Sequence, residues 1–300
     1  MIEFLSTGGK DIQTFIDRMS FTPSIVATLA TQSALPDLHI LLKSLDFWNT
    51  PAPTVYLFCD APVAAALPSI AYKGRLVIKE CLNDYTNLNR ADMERLPGRK
   101  YKNLFFDFVC EKLTLLEWAL SFEPTGALFC DADICFLAPL FKLPEGTTLA
   151  VSAHGIRSAD ETKYGIYNAG MLWVKDATTV EHWRVACSTS SFYEQIAIED
   201  VVAREKQVYQ LPVTENYGWW RLWQGQHSAS DLQREWGMNR NTTGSGITIL
   251  GAALGSVHTH FREQRDVATV QYNEWVLSWL RRIGKSHAPT RRFMSYLNFT

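Results

Sequence analysis

The chain has 300 residues, of which 47% are hydrophobic and 12% aromatic, so it can bury a large core and lacks the composition of a disordered segment. Its formal charge of -2 comes from 29 basic and 31 acidic side chains, a balance that excludes the strong positive field of a nucleic-acid binder. The six cysteines, Cys59, Cys81, Cys110, Cys130, Cys135 and Cys187, contain no C-x-x-C pair and read as reduced, buried thiols rather than a disulfide framework or zinc site.

Met1 to Ser20 interrupts its apolar residues with Glu3, Lys10, Asp11, Asp17 and Arg18, so no signal-peptide core is present. No stretch reaches the roughly 20 apolar residues of a membrane span, which points to a cytoplasmic protein. Ser24 to Ala30 is a short apolar run followed by the helical spacing of Leu38, Leu41, Leu42 and Leu45, a strand-loop-helix pattern. Thr54 to Asp60 reads as a second buried strand and Arg75 to Lys79 as a third. Such alternation requires crossover connections and predicts an α/β fold with a mainly parallel, Rossmann-like central sheet flanked by helices. Ligands of such a sheet gather beyond the carboxyl ends of its strands.

A helix is predicted over about 106–122 from Val109, Leu113, Leu116 and Leu120, and Pro124-Thr125-Gly126 ends it. Ala127 to Cys130 is then an apolar strand that runs into Asp131-Ala132-Asp133, with Ile134, Phe136 and Leu137 resuming the apolar run. Adjacent buried carboxylates are costly unless something positive compensates them. In an extended chain, alternation puts both acids on one face, where they can hold a hard divalent cation with diphosphate oxygens completing its shell. A D-x-D alone occurs by chance in about every second chain of this length, so the flanking apolar runs carry the inference.

Further on, Tyr164 to Gly170 is a polar, Gly-containing approach to the apolar Met171 to Val174. Gly170 lets a backbone come close to a ligand, while Asn168 is either a left-handed turn residue or an amide suited to sugar hydroxyls. The aromatic group Tyr217, Trp219, Trp220, Trp223 and Trp236 is either core or a stacking surface for a carbohydrate acceptor. From Trp275 to Phe299, aromatic residues mix with Arg281, Arg282, Lys285, Arg291 and Arg292. This tail reads as a docked terminal helix, with peripheral contact to an anionic membrane as the alternative.

In order along the chain, these segments resemble the GT-A glycosyltransferases, most closely the retaining galactosyltransferase and glycogenin-like group, family eight. Ile25 to Leu45 is similar to the family's nucleotide-binding opening, with Leu29, Ala30 and Thr31 at the donor. Leu128 to Asp133 resembles its metal motif and Tyr167 to Leu172 its donor-sugar segment, assigning the donor to Asp131, Ala132, Asp133, Asn168, Ala169 and Gly170. Tyr193 to Ile198 is similar to the acid-glutamine pair beneath the sugar, here Glu194 and Gln195. Leu211-Pro212 to Asn216-Tyr217 falls at an acceptor-side loop, which implies acceptor contacts from Asn216, Trp219 and Trp220. Val257 to Phe261 is similar to the terminal strand that bears a third metal ligand, so that His258 or His260 joins Asp131 and Asp133 around Mn²⁺ or Mg²⁺. The resemblance implies a single domain over 1–300, with a donor half over 22–137, a sugar and acceptor half over 138–265 and a helical tail over 266–300.

Two departures stand out. Leu29-Ala30-Thr31-Gln32 lacks the aspartate with which the family commonly reads the base, and Phe261 to Arg265 replaces its Lys-Pro-Trp ending, leaving Arg262 or Arg265 for the diphosphate. The expected chemistry is transfer of a sugar from a nucleotide-sugar donor, a UDP-sugar or else a GDP-sugar, to a hydroxyl acceptor. Lys112 is either a surface lysine or a further charge near the diphosphate. Retention would place Gln195 or Glu194 beneath the sugar, whereas inversion would use Asp200 or Glu199 as base. A sugar nucleotidyltransferase is the nearest rival, but Leu29 to Asp37 contains neither Gly nor Lys for a phosphate loop. A non-catalytic sugar-binding module would account for the tryptophans and not for the carboxylates.

Overall fold

The computed structural model describes residues 20–225 and 228–299, so the reading of Met1 to Ser20 lies almost wholly outside the described residues. Strand β1 (Ile25–Ala30) is buried at every position, as a strand covered on both faces should be. It leads to α1 (Leu35–Trp48), whose Pro36 sits in the first turn, where a missing N–H costs nothing. After β2 (Thr54–Cys59) and β3 (Leu76–Glu80) comes α2 (Leu104–Phe122), started by Asn103, whose side chain accepts from Phe106 N–H at 2.9 Å.

Next come β4 (Ala127–Cys130), β5 (Ile134–Phe136), β6 (Leu149–Ala153), β7 (Tyr167–Val174), α3 (Ala177–Cys187), α4 (Tyr193–Arg204) and β8 (Val208–Gln210). The seven-stranded central sheet has the order β8-β6-β7-β4-β1-β2-β3. Only β7 runs antiparallel to its neighbours, so the sheet is mainly parallel, as alternating strands and helices require. Leu113 and Leu116 of α2, Trp183 of α3 and Ile198 of α4 pack on one face, and Leu38, Leu41 and Leu45 of α1 on the other.

A smaller sheet follows, with β9 (Tyr217–Gly218) parallel to β10 (Ser256–His258), which runs antiparallel to β5. Strand β5 joins the two parts because its side chains alternate: Ile134 and Phe136 enter the α1 core, and Cys135 enters the core of the smaller sheet. That third core is closed by α5 (Val267–Gly284) and α6 (Ala288–Leu297). Phe293 and Phe299 of the tail are buried, Trp275, Trp279 and Tyr296 are partly buried, and Arg281, Arg282, Lys285, Arg291 and Arg292 are exposed. The tail is therefore a docked helical pair whose aromatic surface is largely spent on the core, which leaves little for a membrane. Among the described residues, no helix is long and apolar enough to cross one.

Two local expectations change. Strand β7 starts at Tyr167, so Asn168-Ala169-Gly170 lies inside a strand, with Asn168 opposite Ser152 and a register shift at Val151/Ser152 that leaves Ala169 and Gly170 without a β6 partner. All six cysteines are free, and Cys81 is exposed where burial was expected.

Candidate functional site

The carboxyl end of β4 carries the acidic motif, and the chain turns there instead of continuing extended. Ile134 N–H donates to Asp131 O at 3.2 Å, and Asp131 N–H donates to Gly170 O at 2.8 Å. The two carboxylates thus share a side because of this tight turn and not, as expected, because of strand alternation. Thr259 N–H donates to Asp133 O at 2.9 Å, tying the turn to the residue after β10. His258 Nε2 lies 3.1 Å from Asp133 Oδ1 and 4.0 Å from Asp131 Oδ2. One ligand atom from each of Asp131, Asp133 and His258 falls within 4.8 Å of the others.

His260 lies beyond the end of β10 and is 53% exposed at its side chain, with Nε2 3.4 Å from Asp133 Oδ2 and Nδ1 2.8 Å from Asp37 Oδ2. Of the two histidines, only His258 also approaches Asp131. Burial opposes ionisation of Asp133, but His258 and His260 outweigh it and hold this carboxyl well below the usual range. Burial and then repulsion from Asp133 raise Asp131, against the attraction of Lys112. Attraction to Asp133 and the bond to Asp37 push His260 up to about 9. Asp37 was not singled out by sequence, since an acid after proline in a first helical turn reads simply as helix-start chemistry.

Lys112 is neither at the surface nor free. Its Nζ lies 3.2 Å from Asp131 Oδ1 and 2.7 Å from Glu194 Oε1, under the acidic turn, with 6% of its side chain exposed. Burial alone would lower its pKa, but Asp131 and Glu194 raise it above the ordinary lysine value. Glu194 is therefore committed to Lys112.

Gln195, next on α4, faces Asn168 and Ala169. Its Oε1 accepts from Ala169 N–H and from Asn168 Nδ2, both at 3.3 Å, and its Nε2 donates to Tyr164 O at 2.6 Å. Asp200 is exposed, and a helix turning about 100° per residue points it roughly 140° away from Gln195. Glu199 accepts from Ile166 N–H at 2.9 Å. The structure therefore brings Glu194 and Gln195 to the cluster but not Asp200.

Leu29 and Ala30 end β1, with Thr31 just beyond it, at the same edge of the sheet as the acidic turn, and Gln32 N–H donates to Asp60 Oδ2 at 2.9 Å. Asn216 is fully buried and bonds to Ser152, Asn168 and His258, beneath the site and out of reach of an acceptor. Trp220 is also buried, its indole N–H donating to His154 O at 2.8 Å and its ring edge-on to His258 at 5.0 Å. Trp219 is partly exposed and lies 6.5 Å from the exposed Trp223 ring. Arg262 turns toward the terminal helix, with Nη2 3.4 Å from Leu297 O, while Arg265 remains exposed.

No family model and no curated protein matches this sequence. Among solved structures, an active-site mutant of LgtC superposes with a TM-score of 0.50 at 11% identity, over 85% of this chain and 95% of that one. The glycosyltransferase GlyE of Streptococcus pneumoniae TIGR4 gives 0.46 at 11% identity, over 88% of this chain and 63% of that one. The bifunctional WbbM gives 0.47 at 11% identity, over 66% and 40%. This chain thus spans less than two thirds of the GlyE and WbbM chains. At such identities the likeness is one of fold. This chain has the GT-A fold.

Proposed function

We propose that the chain is a divalent-cation-dependent glycosyltransferase that moves a sugar from a nucleoside-diphosphate donor to a hydroxyl of a carbohydrate acceptor. The observation that carries this is the convergence of Asp131, Asp133 and His258 at the carboxyl end of a parallel strand, facing Asn168 to Gly170. The residues fit a cation. Two carboxylates and an imidazole suit Mn²⁺ or Mg²⁺, and the nitrogen favours Mn²⁺. A Cβ on Gly170 would stand 2.3 Å from His258 Cε1 and 2.8 Å from Asp131 Oδ2, so the site is built around a missing side chain. When bound, such a cation stabilises the charge that develops on a departing diphosphate.

The chain's own groups divide the remaining work. Asp131, Asp133 and His258 hold the cation, Lys112 offsets their charge from below, and His260 stands at the rim near Asp133. Leu29, Ala30, Thr31 and Ala132 frame the nucleotide, with UDP favoured and GDP the alternative. Asn168, Ala169 and Gly170 meet the sugar, and Gln195 lies behind them. Retention is favoured because Glu194 and Glu199 are already bonded and Asp200 points outward, so α4 presents no free carboxylate as a base. Trp219 contacts the acceptor, with Trp220 and Asn216 supporting from beneath. The whole is one domain, because His258 closes a site begun by Asp131, and the free thiols fit a reducing cytoplasm.

Calorimetry tests this. UDP, or GDP if UDP fails, should bind wild type only with Mn²⁺ or Mg²⁺ present, and Asp133→Ala should abolish the heat. Absence of nucleotide binding, or binding indifferent to the cation and to Asp133→Ala, would overturn the assignment. Slow hydrolysis of a panel of sugar nucleotides then identifies the donor.

A further inference from the structure

Three side-chain amides connect α4 to His258; backbone groups fix the orientation of the first two, and these fix the third. Gln195 Oε1 accepts from the Ala169 N–H at 3.3 Å, while its Nε2 donates to the Tyr164 carbonyl at 2.6 Å. Neither backbone group can exchange its role. Asn168 Oδ1 likewise accepts from Gly170 N–H at 2.9 Å, which leaves its Nδ2 toward Gln195 Oε1 at 3.3 Å. Asn168 therefore presents an acceptor to the third amide.

Asn216 must answer with its nitrogen. Its Nδ2 lies 2.9 Å from Asn168 Oδ1 and 2.7 Å from Ser152 Oγ, and Ser152 directs its own proton to Met171 O at 3.2 Å. Flipping Asn216 would set oxygen against oxygen at Asn168, an uncompensated clash of acceptors in a fully buried position. The Asn216 oxygen accordingly faces His258 Nδ1 at 2.8 Å and can only accept. Asn216 is itself held by its N–H donating to Ser256 Oγ at 2.8 Å and by a left-handed backbone, φ 53°, that asparagine tolerates.

We infer that Asn216 is a positioning residue that fixes His258 in its Nδ1–H form, so that Nε2 faces Asp131 and Asp133 as the ligand nitrogen. This rests on the cation site proposed above and concerns the ring with the cation in place, because without it Nε2, 3.1 Å from Asp133 Oδ1, also faces an acceptor. A metal-binding imidazole whose second nitrogen donates to a fixed acceptor is held in one tautomer and one orientation. The acceptor here is an amide oxygen rather than a carboxylate, so the ring gains orientation without a further buried negative charge.

The first experiment uses ¹⁵N-histidine-labelled wild type loaded with Zn²⁺ as a diamagnetic stand-in, with His258 assigned by its absence in His258→Gln. Long-range ¹H–¹⁵N spectra should show the His258 proton on Nδ1 and the metal on Nε2, and a proton on Nε2 with the metal on Nδ1 would overturn the inference. The second measures Mn²⁺ affinity by electron paramagnetic resonance. Asn216→Gly, chosen because glycine accepts the left-handed backbone, should weaken Mn²⁺ about 10- to 100-fold. Asn216→Asp in an Asn168→Ala background, which keeps an oxygen opposite Nδ1 and removes the Asn168 oxygen that would oppose the second one, should stay within a few-fold of Asn168→Ala alone. Unchanged affinity in Asn216→Gly, or equal loss in both variants, would also overturn it. Failure of wild type to bind either cation would sink the cation site, whereas a His258 Nδ1–H resonance of the metal-free, doubly protonated ring that Asn216→Gly leaves unmoved would sink the Asn216 contact on its own.

Discussion

Lys112 bears a buried positive charge between Asp131 and Glu194, and its value to the fold follows from what its removal would leave behind. Stripping one partner from a buried ion cluster strands the others, at a cost of about 3–5 kcal/mol. Lys112→Ala should lose that much stability in urea denaturation, whereas a loss within about 0.5 kcal/mol, typical of a surface lysine, would contradict the burial. The sequence offers a faint sign of this role, a lysine at helical spacing from the buried Val109 and Leu116. Its partner Glu194 is 82 residues away, so no local pattern could name it. Asn216 was placed on the acceptor loop for the same reason: its partners Asn168 and His258 are 48 and 42 residues distant. Asp131 and Asp133 were legible because they are neighbours framed by strands.

Among the elements, the terminal helical pair shows how packing fixes the meaning of an ambiguous composition. Phe293 of α6 is fully buried, its ring 5.2 Å from Phe47 and 5.1 Å from Trp48 of α1. Tyr296 donates to Asp46 Oδ2 at 2.5 Å. Phe293→Ala should therefore cost about 3–5 kcal/mol by denaturant unfolding while leaving Mn²⁺ affinity unchanged. A loss below about 1 kcal/mol would show that the tail is not part of the core. The strands and helices of the first half were readable because continuous apolar runs and 3.6-residue spacing are local signals. The turn at Asp131 to Asp133 and the early start of β7 were not, since the first depends on Asp131 N–H donating to the Gly170 carbonyl and the second on pairing with Ser152 and Ala153.

For the molecule as a whole, two buried titratable groups near the junction of the sheets set opposite slopes of stability with pH. Burial pushes the Glu215 carboxyl up to about 8, despite the hydrogen bond from Ser256 at 3.0 Å. Burial pulls His154 down to about 4. From the ordinary value of 4.5 to about 8, the folded chain keeps a proton on Glu215 that the unfolded chain releases, so this group lowers stability as pH rises. From 6.5 down to about 4, the unfolded chain protonates His154 and the folded one does not, so this group lowers stability as pH falls. Where the windows overlap the two slopes oppose each other, and above pH 6.5 Glu215 acts in the same direction as His260, whose raised pKa loses its stabilisation as pH rises from 6.5 to about 9. Glu215→Gln removes the first slope. Measured by urea denaturation, the stability of Glu215→Gln relative to wild type should increase from pH 4.5 to pH 8 by on the order of 4 kcal/mol. A wild-type to variant difference that stays constant across that range would mean that Glu215 is not held protonated in the fold. A difference that shrinks would mean that its carboxylate is stabilised there instead.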